Sequence, residues 1–214
     1  MASLGLDYDP GSYPRLDGSS RERKRRETHE RLYASALEEI QRVGLEGARV
    51  EHICNRAGVT RPTFYAHFQS KEGVLEELQL RLFGAMLERM ERRVEATSSL
   101  FELTDALACG VFEEAAAQPE SLRREVSSFA ARHQSQPEWA GYPLFQTVER
   151  RFAQVHRQGG FAHHSPTELT HWVMVVLNGF YLSYPDRLEE GLRGARAALR
   201  MFICGLMGTA SRPT

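Results

Sequence analysis

Val50 to Phe68 reads VEHICNRAGVTRPTFYAHF, and its punctuation leaves little choice of local structure. Val50, Ile53, Cys54 and Ala57 recur at spacings of three and four residues, which lays them on one face of a short helix. Gly58 ends that helix, because glycine enters the left-handed region without a Cβ clash. Thr60 then stands as N-cap of a further helix, Arg61 to Phe68, with Phe64 and Phe68 turned inward one helical turn apart and Pro62 harmless in the first turn. Helix, glycine turn and helix in about twenty residues is the form of a helix-turn-helix.

The same periodicity extends in both directions. Upstream, Leu32, Ala36, Leu37, Ile40 and Val43 make one apolar face of a helix from Arg21 to Val43 that stops at Gly44. Downstream, Ser70 caps a long helix from Lys71 to about Ala96, with Val74, Leu75, Leu78, Leu82, Met86, Met90 and Val94 inward. Helical stretches at about 100–117, 120–133, 138–157, 166–183 and 186–208 follow, divided by Pro119, Pro137, Gly159-Gly160 and Tyr184-Pro185. No run of β-branched residues bounded by turn signals reads as a strand, so the expected fold is all-α. A three-helix helix-turn-helix domain comes first and a C-terminal helical bundle second. The expected domains are a flexible arm over 1–20, the helix-turn-helix domain over 21–70 and the bundle over 71–214.

Composition narrows the function classes. The chain has 214 residues, 42% of them apolar, enough for a real core and too apolar for intrinsic disorder. Its 27 basic and 28 acidic residues nearly cancel, so nucleic-acid binding must rest on a local basic patch. Arg21, Arg23, Lys24, Arg25 and Arg26, interrupted only by Glu22, form one just before the first helix's apolar pattern. The three cysteines, Cys54, Cys109 and Cys204, are widely spaced among apolar neighbours, as reduced thiols are. The N-terminus lacks a signal-peptide layout. The most apolar run, Trp172 to Leu182, falls short of the roughly 20 residues that cross a bilayer, so a cytoplasmic protein without membrane contact is expected.

With Phe64 and Phe68 inward, Arg61, Thr63, Tyr65, Ala66 and His67 are left on or beside the open face. Donors, acceptors and one small apolar group suit base edges and phosphates in a major groove. Arg61, at the N-terminal end, is the first choice for a base contact. Thr63 and His67 reach bases or phosphate, Tyr65 offers a hydroxyl to phosphate, and Lys71 opens a helix whose free amides attract phosphate. Arg25 and Arg26 are candidates from the basic run, since an arm before such a domain reaches phosphates or the minor groove.

The segment GVTRPTFYAHFQSKE, Gly58 to Glu72, closely resembles the TetR (tetracycline repressor) family around its recognition helix: a glycine turn, an aromatic-Tyr pair, another aromatic, then Ser-Lys-Glu. The resemblance covers about residues 22 to 80. It implies a three-helix DNA-binding domain joined to a helical domain that dimerises and often binds a small effector. It makes Thr60, Arg61, Thr63, Tyr65, His67 and Lys71 the expected DNA contacts. The family commonly has Thr-Thr or Thr-Ser before the second helix; this chain has Ala48-Arg49, where Arg49 supplies the phosphate contact by charge.

Beyond residue 100, aromatic residues such as Phe101, Phe129, Trp139 and Tyr142 recur at helical spacing, as core residues do. Phe112, Phe145, Phe152 and Trp172 are the candidates for lining an effector pocket. His133, His156, His163, His164 and His171 form no metal-ligand pattern, and no catalytic or cofactor motif is present, so neither a metal, a cofactor nor an enzyme is expected. Trp172 to Leu182 is apolar nearly all round, and Gly191, Gly194, Ala195 and Ala198 permit close helix approach, which points to a homodimer through the last two helices. The expectation is therefore a homodimeric repressor on a palindromic operator in double-stranded DNA, released by a small molecule. The contrasting class is a helical protein-interaction or structural module that makes no specific use of DNA.

Overall fold

The computed structural model describes residues 19–95, 98–133, 142–159, 161 and 164–209. The arm before Ser19, together with Trp139 and His163, lies outside the described residues. The described residues are helical and contain no strand: α1 (Ser20–Gly47), α2 (Val50–Ala57), α3 (Arg61–Tyr65), α4 (Glu72–Glu91), α5 (Leu100–Ala116), α6 (Glu120–His133), α7 (Pro143–Arg157), α8 (Pro166–Ser183) and α9 (Leu188–Thr209). They divide into two compact units, Met1–Val74 and Leu75–Thr214.

In the first unit, α1 opens on a capping box. The Ser19 hydroxyl accepts from the Glu22 amide at 3.4 Å while the Glu22 carboxylate accepts from the Ser19 amide at 2.7 Å. Gly44 breaks the helix where expected, at φ 76°, but one more turn follows to Gly47. Leu32, Ala36 and Ile40 are buried as their spacing predicts. Val43, expected inward, is 38% exposed, because it immediately precedes the break at Gly44. Helix α2 packs on α1 through Ile53, Cys54 and Ala57, and Gly58 closes it in the left-handed conformation at φ 66°.

In the second unit, α5 packs on α9, and α8 lies against both α7 and α9. The small residues permit this. A Cβ on Gly191 would stand 2.5 Å from the Phe112 ring, and one on Gly194 would stand 2.4 Å from the Phe180 ring. Gly110 likewise brings α5 close to the backbone of α4 at Met86. Leu107, Phe112, Phe152, Leu169, Leu177 and Leu199 fill the interior. Ion pairs join its helices as well: Arg89 with Glu114 at 2.8 Å, Arg196 with Asp105 at 2.8 Å, and Arg151 with Glu91. The expected helices match these closely over 100–117, 120–133 and 166–183. The long helix ends at Glu91 rather than near Ala96, and α7 is helical from Pro143, whose fixed φ suits the first turn.

Candidate nucleic-acid interface

The open face of the first unit is built on a buried anion. Glu39, on α1, has a side chain only 1% exposed. Its carboxylate accepts from Arg42 Nη2 at 2.8 Å and meets His52 Nδ1, on α2, at 3.0 Å. Burial alone would raise the Glu39 pKa, but the hydrogen bonds and charges of His52 and Arg42 outweigh it and hold the carboxyl below its ordinary value. Beside it, Arg56 of α2 pairs with Glu38 at 2.7 Å. Apolar packing and charge together fix the angle at which α2 leaves α1. Sequence periodicity misses Glu39, because a glutamate beside an apolar stripe reads as solvated.

Helix α3 is short and is held from beneath by aromatic rings. Phe64 is fully buried and Phe68 nearly so, their centroids 5.7 Å apart. Thr60 occupies the N-cap position, yet its hydroxyl makes no capping bond and meets the Thr63 hydroxyl at 3.0 Å instead. The expected cap is thus corrected: the two hydroxyls satisfy each other on the outer side of the turn. The helix is regular only to Tyr65, after which Ala66 and His67 form a turn that carries Phe68 back to the core.

Arg61 and Tyr65 are both exposed on α3, and Tyr65 presents its edge to Phe64. The Arg61 guanidinium pairs with Glu51 of α2, Nη1 to Oε1, at 2.6 Å. The neighbouring Tyr65 hydroxyl and the Glu51 charge keep it even more firmly protonated than usual. Arg49, at the N-cap of α2, is exposed and makes no side-chain cap bond.

His67 is half-buried, its ring 5.4 Å from that of His29, which stacks on Phe68 at 4.7 Å. Burial, then the charges of His29 and Arg25, push the His67 imidazole below its ordinary value. The charge of Arg25, from the basic run, is thus felt just beyond α3; Arg25 and Arg26 are both exposed on the opening turns of α1. Lys71 has a role the sequence did not suggest. Its ammonium donates to the carbonyls of Glu46 at 2.9 Å and Ala48 at 3.4 Å, capping the end of α1. Ser70 caps α4, its hydroxyl accepting from the Gly73 amide at 3.3 Å.

The four effector-pocket candidates lie on three helices. Phe112 of α5 packs against Gly191, Phe145 and Phe152 are buried along α7, and Trp172 of α8 is half-buried against His164 and Phe202. Of the remaining histidines, His156 packs edge-on to Phe161. Cys54 and Cys109 are buried free thiols whose pKa burial pushes up, and Cys204 is an exposed free thiol.

Two helices joined by a left-handed glycine, with a short outer helix presenting Arg61 and Tyr65, define a helix-turn-helix protein. Residues 32–78 match the model of the bacterial regulatory proteins of the tetR family. Over those residues the chain is similar to that family. It is 42% identical over 52 residues to YdgC, an HTH-type transcriptional regulator of Bacillus subtilis, a match covering 24% of this chain and 27% of that protein. YvdT of the same organism, also an HTH-type transcriptional regulator, is 27% identical over 79 residues, covering 37% of this chain and 41% of the relative. The chain thus spans well under half the length of both curated relatives.

Among solved structures, a TetR-family transcriptional regulator of Pectobacterium atrosepticum shares the fold at TM-score 0.67 and 21% identity, over 88% of this chain and 97% of that one. FadR of Thermus thermophilus, a TetR-family transcriptional repressor solved with lauroyl-CoA, does so at TM-score 0.66 and 17% identity, over 82% and 92%. At such identities the likeness concerns the fold.

Proposed function

We propose that this chain is a homodimeric, DNA-binding transcriptional repressor that occupies a palindromic operator and is released by a small-molecule effector. The observation that carries the reading is the exposed face of α3. There Arg61 and Tyr65 stand on a helix whose only buried side chain is Phe64, directly after the glycine turn. Arg61 addresses a base edge; Thr60, Thr63, Tyr65 and His67 address bases and phosphates, and Arg25, Arg26 and Arg49 add phosphate contacts around them. Lys71 contributes by fixing the end of α1 and offers its remaining N–H to phosphate. Reading DNA in this way requires no turnover, and the chain acts as a regulator rather than as an enzyme.

The dimer is proposed through α8 and α9. Ala195, Leu199 and Ile203 form the buried face of α9, while Met201, 73% exposed, stands on the other with Cys204 and Met207. Val175 of α8 is exposed too. A second copy of the chain covers these residues and sets two recognition helices about 34 Å apart on one face of the duplex. No helix among the described residues is long and apolar enough to cross a membrane, so a bilayer is not invoked to cover them. The effector enters among the aromatic residues of the second unit, Phe112, Phe145, Phe152 and Trp172, and an apolar molecule suits such a lining. Its binding favours a dimer whose recognition helices no longer match the half-site spacing, transmitted along α4.

Arg61→Ala and Tyr65→Ala test the reading. Each lowers affinity for the operator by about ten- to a hundredfold in fluorescence anisotropy while the protein stays folded and dimeric. A protein-interaction module would bind all duplexes alike, before and after either change.

A further inference from the structure

An acid stands on the recognition surface itself. Glu51 of α2 is about half exposed and directs its carboxylate across the glycine turn to Arg61, 2.6 Å away. The neighbouring carboxylates are engaged elsewhere: Glu38 pairs with Arg56, and Glu39 is buried between Arg42 and His52. For indiscriminate DNA binding Glu51 is a handicap, since it repels phosphate and competes for the cation that phosphate would take. The guanidinium carries five N–H donors in a rigid planar fork, and holding one end of it on a carboxylate leaves the others to point outward.

We propose that Glu51 is a specificity-determining positioning residue: it pins the plane of the Arg61 guanidinium, so that Arg61 engages a two-pronged acceptor, the O6/N7 edge of guanine, and is withheld from the DNA backbone. The proposal rests on the DNA-reading function above. A free arginine reaches any phosphate in range, and such a contact carries no sequence information. A pinned one keeps its parallel donors for the base edge that accepts two at once. The carboxylate weakens binding to every duplex, and guanine at the right place offsets the loss through that second bond.

The test compares wild type, Glu51→Gln, Arg61→Ala and the double variant. Each selects from a randomised duplex pool, and each is then titrated with the duplex that the wild type selects and with a scrambled one. Glutamine keeps the size of the side chain and removes the charge at a half-exposed position, and thermal unfolding verifies the fold. Glu51→Gln is expected to raise affinity for scrambled DNA about two- to fivefold, the range an exposed ion pair commands. It lowers the ratio of selected to scrambled binding by at least that factor, and it relaxes the guanine preference at one position in each half-site. In the Arg61→Ala background the same substitution leaves base preference unmoved. An unchanged ratio with the guanine preference intact overturns the role of Glu51, as does an equal loss of preference in the Arg61→Ala background. A wild-type chain that enriches no sequence overturns the DNA-reading function itself, and this role with it.

Discussion

The N-terminal unit buries a carboxylate, Glu39, almost completely and gathers His52 and Arg42 around it, whereas the Leu75–Thr214 unit fills its centre with Phe112, Phe152, Leu177 and Leu199 and holds its paired carboxylates less deeply, Glu114 with Arg89 and Asp186 with Arg124. Size accounts for part of the difference. A unit of three helices and the start of a fourth buries a smaller fraction of its surface than a larger one, so a charged clamp supplements its core. The outer surfaces differ in the opposite sense. The small unit exposes donors on α3, and the large one exposes apolar side chains on α8 and α9. A charged face engages a charged polymer and weakens with salt, whereas an apolar face engages its own kind and is little affected.

The largest expected effect breaks the small unit alone. Phe64 is fully buried, and Phe64→Ala costs about 3–5 kcal/mol. Urea unfolding followed by circular dichroism then shows an early transition for the N-terminal unit ahead of an unchanged later one. Met201→Glu acts on the other unit's surface. It leaves the fold intact but sets an unpaired charge in the proposed interface, at a cost of about 3 kcal/mol, and sedimentation shows monomers at concentrations where the wild type is dimeric.

Glu39→Gln sharpens the comparison through pH. The carboxyl is held below its ordinary 4.5, so its stabilisation is complete above that value and is lost as pH falls through the lower folded value. The variant loses about 1–3 kcal/mol at neutral pH, and that difference from wild type shrinks in acid, as unfolding midpoints at pH 7 and below 4 record. Asp186→Asn, by contrast, removes an exposed partner of Arg124 and leaves the unfolding midpoint unchanged within error.

The parts legible in the sequence are those governed by local chemistry. Gly58 and Gly44 need a positive φ, Ser70 needs only the amide three residues on, and the buried faces of α1 and α2 follow from spacing. What escaped depends on partners distant in the chain. Lys71 caps a helix end 25 residues upstream, and Glu39 is buried because His52 arrives from the next helix. The Glu51–Arg61 pair forms only once the glycine turn has folded α3 back toward α2. Thr60 departs from the expected cap for a local reason: Thr63 offers its hydroxyl a nearer partner than the helix amides. Of the candidate contacts, Arg61, Tyr65 and Arg49 stand exposed, and His67 is half-buried beside His29.

Site selection from a randomised duplex pool, followed by titration at several salt concentrations, tests whether the chain reads DNA sequence. A two-fold symmetric sequence is expected to be enriched and bound at least about a thousandfold more tightly than scrambled DNA. The logarithm of affinity is expected to fall linearly with that of salt concentration. No enriched sequence, with equal and weak binding to every duplex, would contradict sequence-specific reading.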